Sequence, residues 1–231
     1  MLSQRSTPVK MTQEAANKLP RWSLLALLTL FAFCGFWATG LWTLRDALSF
    51  GTAMSMLDGS FSSWLMPVIA DAPVTDAGPM TGWLTASLIA ISRWTGIMGD
   101  IAATRFAACL LFALTTAGLW YGTWHLARRP EAQPIAFAFG GEASPRDYGR
   151  VVADSAVLLF VSTFGILTRQ HEALPDTALL TMGALVFYGL TFGLRRPLLG
   201  AFIAGVAAGA AIISTTLFAG CWLLVLALVT I

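Results

Sequence analysis

The stretch TRFAACLLFALTTAGLWYGTWHLA, Thr104 to Ala127, decides the orientation of the other segments of this chain. It is long enough to cross a bilayer, because a spanning helix needs roughly 20 mostly apolar residues. Arg128 and Arg129 follow it directly, and Arg146 and Arg150 lie in the next hydrophilic segment. Cytoplasmic loops carry an excess of Lys and Arg, so the C-terminal end of this stretch is predicted to face the cytoplasm.

The composition places the whole chain in the membrane class. Hydrophobic residues make up 57% of the sequence and charged residues 11%, whereas soluble domains are roughly one quarter charged. Basic residues exceed acidic ones by 14 to 12, which is too small a surplus to predict a nucleic-acid partner. Cys34, Cys109 and Cys221 lie in separate apolar runs without CxxC spacing, so neither a disulfide framework nor a zinc site is predicted.

The segments on either side of Thr104 to Ala127 extend the bundle. Trp22 to Leu44 is predicted to be an uncleaved first span, with the N-terminus in the cytoplasm. Trp83 to Met98 is expected to lie along the outer surface instead, because a crossing there would place the four arginines of 128–150 outside. Further spans are predicted at 151–168, 174–194 and 198–218. The cytoplasmic segments then hold ten of the 14 basic residues, namely Arg5, Lys10, Lys18, Arg21, Arg128, Arg129, Arg146, Arg150, Arg195 and Arg196.

The predicted fold is therefore an all-α, polytopic membrane helix bundle. Residues 1–21 form a cytoplasmic tail, and the first outer loop, 45–103, carries periplasmic juxtamembrane helices. Residues 220–231 are too few to cross a hydrocarbon core of roughly 30 Å, so we expect an incomplete span and the N-terminal part of a longer transmembrane domain. Ala201, Gly205 and Gly209 form a small-residue stripe, which predicts close packing of the last complete helix against a neighbour.

Two outer loops carry the candidate functional residues. Asp46 follows the first predicted span, and Asp176 begins the fourth, so both are expected at the same membrane boundary. Carboxylates at that depth require a partner, a cavity or water. Two ordinary roles are open: Asp46 could pair with Arg45, and Asp176 could cap its helix.

Near Asp176 the second outer loop adds Arg169, His171 and Glu172. A histidine between carboxylates is compatible with metal binding or proton transfer, and an arginine is compatible with phosphate binding. The spacing alone does not select among these roles.

The order of features resembles a known family of membrane enzymes. The first outer loop continues through Gly59-Ser60, Trp64 to Pro67 and a proline-containing turn ending at Pro79, and it closes on Trp83-Leu84. Arg105-Phe106 opens the second span, and Leu174 to Asp176 opens the fourth. In this order the chain resembles the family 39 membrane glycosyltransferases, of the protein O-mannosyltransferase and aminoarabinose transferase type with the C-type membrane fold.

The resemblance implies inverting transfer of a sugar from a polyprenyl-phosphate donor to a hydroxyl of a lipid or protein at the periplasmic face. Asp46 would be the catalytic base, supported by Asp176, while Arg169, His171, Glu172 and Asp76 would bind substrate. Some relatives hold a divalent metal ion near the acid matching Asp76. The family's Asp-Glu pair is replaced here by Asp46-Ala47, and its Glu-Lys-Pro-Pro turn by 76–79, Asp-Ala-Gly-Pro.

Two other classes of function remain open from the sequence. The chain could be a truncated, non-catalytic module or subunit of such an enzyme, surrounded by membrane lipids and lacking the remaining spans. A transporter would instead require charged or broken helices near the bilayer midplane. Charges here cluster at helix ends, which favours the enzyme and the non-catalytic module over the transporter.

Overall fold

The computed structural model describes residues 10–18, 21–36, 40–41, 43–75, 78–163, 171–214, 221–223 and 225. In order, the elements are helices α1 Gln13–Lys18, α2 Arg21–Phe36, α3 Leu44–Asp58, α4 Phe61–Leu65, strands β1 Val68–Ile69 and β2 Ala72–Pro73, and helices α5 Met80–Thr95, α6 Asp100–Ala127, α7 Pro145–Ser162, α8 Pro175–Gly193 and α9 Pro197–Ser214. A short 3₁₀ turn, Pro130–Ala132, follows α6. Apart from the two-residue hairpin, the predicted all-α bundle is confirmed for these residues.

Three of the described helices are long and apolar enough to cross a membrane: α6, α8 and α9. They coincide with three of the five predicted spans. Helix α2 is shorter, at 16 residues, and α7 begins at Pro145, well before the predicted boundary at 151. The predicted end of that third span, at 168, lies outside the described residues.

Helices α6, α8 and α9 pack side by side, and α7 packs on α6. Close approach of α8 and α9 requires glycine at Gly189, because a Cβ there would lie 2.6 Å from the Ala204 backbone nitrogen. Between α6 and α8, the buried hydroxyls of Thr115 and Thr181 lie 2.8 Å apart. This hydrogen bond satisfies two polar groups that burial would otherwise leave costly.

The face of α9 that packs differs from the predicted one. Gly205 and Gly209 have open space where a Cβ would stand, and Ala201 is exposed. The buried face comprises Gly200, Ala204, Ala207, Ala208, Ala211 and Ser214. The prediction of a packed Ala201–Gly205–Gly209 stripe was wrong because a second set of small residues lies beside it on the helix, and the neighbour contacts that set.

Residues 45–103, predicted as an outer loop with surface helices, consist mainly of helix in their described part. Helix α3 packs on α5 through the buried side chains of Ala53, Met56, Ala86 and Ile89. The indole nitrogen of Trp83 donates to the carbonyl of Trp64 at 2.5 Å, which ties α5 to α4. Asp46 therefore lies in the first turn of α3 and not in an irregular loop.

At the opposite end of the bundle, helix α1 docks on the start of α7. The Gln13 amide donates to the Asp147 carboxylate at 2.9 Å, and Arg150 donates to the Ala16 carbonyl at 2.5 Å. The N-terminal segment and residues 141–150 thus share one end of the bundle. Along α6, Arg105 and Arg128 are about 23 residues and roughly 34 Å apart, so this basic end is about one hydrocarbon thickness from the Arg105 end.

Candidate functional site

Asp46 forms a buried ion pair with Arg105. The carboxylate is 0% exposed and the guanidinium side chain 2% exposed. Two parallel hydrogen bonds join them, from Nη1 to Oδ1 at 3.2 Å and from Nη2 to Oδ2 at 2.6 Å. Such bidentate geometry offsets part of the cost of removing both charges from water.

The ion pair depends on the cap that begins α3. Thr43 is the N-cap of this helix, and its hydroxyl accepts a hydrogen bond from the Asp46 backbone N–H at 3.0 Å. Asp46 follows in the first turn, where a carboxylate is favoured by the positive end of the helix dipole. Its side chain meets α6 at the position of Arg105, which lies in the second turn of that helix.

Arg105 also joins the loop before α8 to this pair. Its guanidinium donates to the carbonyl of His171 at 3.0 Å and to that of Gly40 at 2.5 Å. The same side chain therefore connects four segments: the connection between α2 and α3 at Gly40, α3, α6 and the loop before α8. Its backbone acceptors explain how a guanidinium is tolerated at 2% exposure.

A second group of hydrogen bonds runs beside the ion pair. The hydroxyl of Thr43 donates to the Glu172 carboxylate at 3.0 Å, and Glu172 is 5% exposed. Ser49, one helical turn past Asp46, donates to the carbonyl of Ala173 at 2.7 Å. These bonds fix the loop 171–174 against α3.

His171 is directed toward α2. Its ring stacks on Phe31 with centroids 4.8 Å apart and planes 27° apart, and Nε2 lies 3.5 Å from the Phe31 carbonyl oxygen. In the part of the chain that the structure describes, no group of three or more His, Cys, Asp or Glu side chains is arranged to hold a metal ion. The position of Asp76 lies outside that part.

A cleft of about 760 Å³ opens next to this cluster, between α3, the β1–β2 hairpin, the start of α5 and the start of α8. Arg45 and Asp176 both line it and form an ion pair at 3.2 Å, with side chains 61% and 47% exposed. Most of the remaining described wall is apolar or hydroxylic: Leu48, Ser49, Thr52, Pro67, Ile69, Ala70, Ala72, Pro73, Val74, Thr75, Gly78, Thr81, Gly82, Leu174, Pro175 and Leu179. Asp46 does not line the cleft, since Arg105 and the neighbouring backbone enclose it.

The structure thus brings four of the six predicted site residues together, Asp46, His171, Glu172 and Asp176. Both ordinary roles considered from sequence were wrong. Arg45 pairs with Asp176 and not with Asp46, and the N-cap of α8 is Leu174, whose N–H is bonded by the Thr177 hydroxyl at 3.1 Å.

The other two predicted residues, Arg169 and Asp76, lie outside the described residues. The sequence argument gave Arg105 no role in the site. An arginine two residues into a long apolar stretch needs a partner, and that requirement could have identified it. Comparisons of the chain with protein-family models, with curated proteins and with solved structures give no match.

Proposed function

We propose that this chain is the donor-binding portion of a membrane glycosyltransferase that moves a sugar from a polyprenyl phosphate to a hydroxyl of a lipid or protein. The reaction would take place at the periplasmic face of a bacterial inner membrane, with the N-terminus in the cytoplasm. The observation that supports this proposal is the cleft of about 760 Å³, which carries one exposed cation and one exposed carboxylate beside the enclosed Asp46–Arg105 pair.

The chemistry of the cleft wall matches the two parts of such a donor. Ligand sites typically combine apolar lining with a few placed polar groups, and here the apolar wall suits the first prenyl units. The Arg45 guanidinium is positioned to bind a phosphate oxygen, because a phosphate competes well with a half-exposed carboxylate for an arginine. Binding of the phosphate to Arg45 would weaken the ion pair between Arg45 and Asp176.

The Asp176 carboxylate lines the cleft and is the group that would act as base. The acceptor hydroxyl oxygen attacks the anomeric carbon, its proton passes to Asp176, and the bond from that carbon to the phosphate oxygen breaks. Polyprenyl phosphate leaves with the electron pair, and the anomeric configuration inverts. General-base catalysis of this kind requires the base within hydrogen-bond reach of the hydroxyl, and Asp176 lines the cleft.

Asp46 has a different role in this proposal from the one that the family resemblance implies. Asp46 is 0% exposed and does not line the cleft, so it does not reach a substrate bound there, and both of its oxygens accept bonds from Arg105. We therefore assign Asp46 as a positioning residue, which holds Arg105 and through it the backbone of the loop 171–176. A role for Arg169 at the phosphate, and for Asp76 with a divalent metal ion, stays a prediction.

The test is sugar transfer by the protein, reconstituted in nanodiscs with radiolabelled polyprenyl-phosphate sugars. Asp176→Asn is expected to lower kcat by about 100-fold or more with little change in donor affinity, since a lost general base costs 10²–10⁴-fold. Asp46→Asn is expected to weaken donor binding and stability as well. Full turnover by Asp176→Asn, together with loss of turnover in Asp46→Asn, would contradict this assignment and indicate that Asp46 is the general base.

A non-catalytic module or subunit is the second candidate, and the enclosure of Asp46 favours it. Such a module would bind the lipid-linked sugar in the same cleft without turning it over. Donor binding that Arg45→Gln weakens, together with no transfer under any acceptor tested, would support the module over the enzyme. Absence of both binding and transfer would overturn both candidates.

A further inference from the structure

A second cleft, of about 500 Å³, lies at the basic end of the bundle, far from the Asp46 cluster. It is formed by the start of α2, the C-terminal third of α6 and the first turns of α7. Its described lining is aromatic and mostly cationic, comprising Arg21, Trp120, Tyr121, Trp124, Arg146, Asp147 and Arg150. The proposed glycosyltransferase site uses none of these residues.

The aromatic wall of this cleft is held in a fixed arrangement. Trp120 donates through its indole nitrogen to Asp154 at 2.7 Å, and it stacks with Trp124 at a centroid distance of 5.9 Å and an angle of 19°. The Arg21 guanidinium lies 5.8 Å from the Trp120 ring centroid, and that of Arg128 lies 4.1 Å from the Trp124 ring centroid. Cation–π contacts of this kind orient a guanidinium and leave its N–H groups available to an anion.

The positive charge in the cleft is not balanced within it. Three arginines face one carboxylate, Asp147, whose Oδ2 already accepts from Ser144 at 2.6 Å and from Gln13 at 2.9 Å. Arg21, Arg146 and Arg150 form no ion pair with a carboxylate at 4.0 Å or less in the described parts of the chain. The Nε of Arg150 is buried there and lacks a hydrogen-bond partner among the described atoms.

Neighbouring arginines add to the local positive potential. Burial lowers the pKa of Arg128, and the nearby charges of Arg195 and Arg146 lower it further. The guanidinium stays charged, because arginine in proteins does not deprotonate. An anion placed among these groups is therefore favoured by several cations at once.

We infer that this cleft binds the phosphate headgroup of an anionic membrane phospholipid. A lipid source fits better than a soluble phosphate because the wall belongs to α6, one of the three described helices able to cross a membrane, and Tyr121 is 49% exposed on it. Trp and Tyr rings concentrate at the headgroup level of membranes, and basic pockets between helices recognise anionic headgroups. This site is independent of the sugar-transfer proposal, since it lies at the other end of α6.

The test is native mass spectrometry of the detergent-purified protein titrated with phosphatidylglycerol or phosphatidylcholine. Wild type is expected to retain phosphatidylglycerol preferentially. Arg21→Gln and Arg146→Gln are each expected to lower its affinity by about fivefold, the usual contribution of one basic residue near an anionic lipid. Arg21 and Arg146 are both exposed, so both variants are expected to fold.

Arg196→Gln is the matched control, because Arg196 is exposed at the same basic end of the bundle but does not line the cleft. An equal loss in this control, or equal retention of the two lipids by wild type, would overturn the site in favour of diffuse surface charge. A third arm adds free glycerol 1-phosphate. Displacement of the lipid at comparable concentration would overturn the lipid source and leave a soluble phosphate ligand.

Discussion

Arginine side chains at the two ends of this bundle differ in burial and in ion pairing. At one end, Arg105 is 2% exposed, and its guanidinium is occupied by Asp46 and by two backbone carbonyls. At the other end, Arg21, Arg146 and Arg150 line an open cleft, and the described structure gives them no carboxylate at ion-pair distance. A buried arginine whose N–H groups are bonded within the protein fixes the geometry of the chain. Arginines that line an open cleft without a carboxylate partner can bind a ligand.

The largest effect is expected from breaking the enclosed pair. Arg105→Leu leaves the Asp46 charge buried without its partner, and we expect the free energy of unfolding to fall by about 3–5 kcal/mol. Thermal unfolding in detergent measures the change. The matched control is Arg93→Leu, which removes the exposed pair with Asp100 and should leave the transition temperature nearly unchanged.

A double variant sharpens this result. In Arg105→Leu/Asp46→Leu both charges are gone, and most of the lost stability should return, because well-packed apolar residues commonly replace a buried ion pair without cost. Equal transition temperatures for Arg105→Leu and Arg93→Leu would contradict the contrast between the two ends.

The next effect tests the helix packing that holds the ends apart. Gly189→Ala pushes a methyl group against the Ala204 backbone, and overpacking of this kind costs about 1–3 kcal/mol. Gly205→Ala meets open space and should gain up to about 1 kcal/mol from helix propensity. Thermal unfolding compares the two variants. A larger loss of stability in Gly205→Ala than in Gly189→Ala would support packing through the Ala201–Gly205–Gly209 stripe predicted from sequence.

An effect of comparable size is expected from two helix caps of the same design. Thr43 and Ser144 each accept a backbone N–H and donate to a carboxylate, Glu172 in one case and Asp147 in the other. Replacing either by Ala should cost about 1 kcal/mol for the cap. Thr43→Ala should cost up to about 1–3 kcal/mol more, since it leaves the buried Glu172 without this donor. Equal losses of thermal stability would show that burial of Glu172 is unimportant.

The smallest expected effect is a pH dependence at the basic end. Hydrogen bonds from Ser144 and Gln13, followed by the charges of Arg150 and Arg146, hold the pKa of Asp147 below its ordinary value of 3.8. A lowered pKa in the folded protein means that the carboxylate stabilises the fold above pH 3.8 and that this contribution disappears as pH falls below it. Limited proteolysis by pepsin, with its rate at each pH divided by its rate on an unfolded reference peptide, should therefore cut the 10–18 segment faster at pH 2 than at pH 4, and Asp147→Asn should remove most of that difference.

Much of the architecture was predictable from local sequence. The apolar lengths of 104–127, 174–194 and 198–218 predicted the three helices that meet the requirements for crossing a membrane. Their ends also fall near proline, glycine or arginine, which mark helix boundaries. The grouping of Asp46 with His171, Glu172 and Asp176 followed from the predicted orientation of the spans.

The pairing within that group was not predictable in the same way. Arg45 is adjacent to Asp46 in sequence, but neighbours on a helix do not face each other, so the two side chains go to different partners. Arg45 reaches Asp176 in the cleft, and Asp46 reaches Arg105 in the interior. The proposed roles, Asp176 as the base and Asp46 as a positioning residue, depend on the different directions in which Arg45 and Asp46 leave α3.

The sequence by itself determined the membrane character, the apolar lengths of α6, α8 and α9 and the bias of basic residues toward one end, because hydrophobic length and charge content are properties of short segments. Only the tertiary structure decided that Asp46 meets Arg105 from 59 positions away and that α9 packs through Gly200 and Ala204. Both depend on how each helix is rotated toward its neighbours. That rotation is set by the fit between whole helix surfaces and by the need to pair every buried charge.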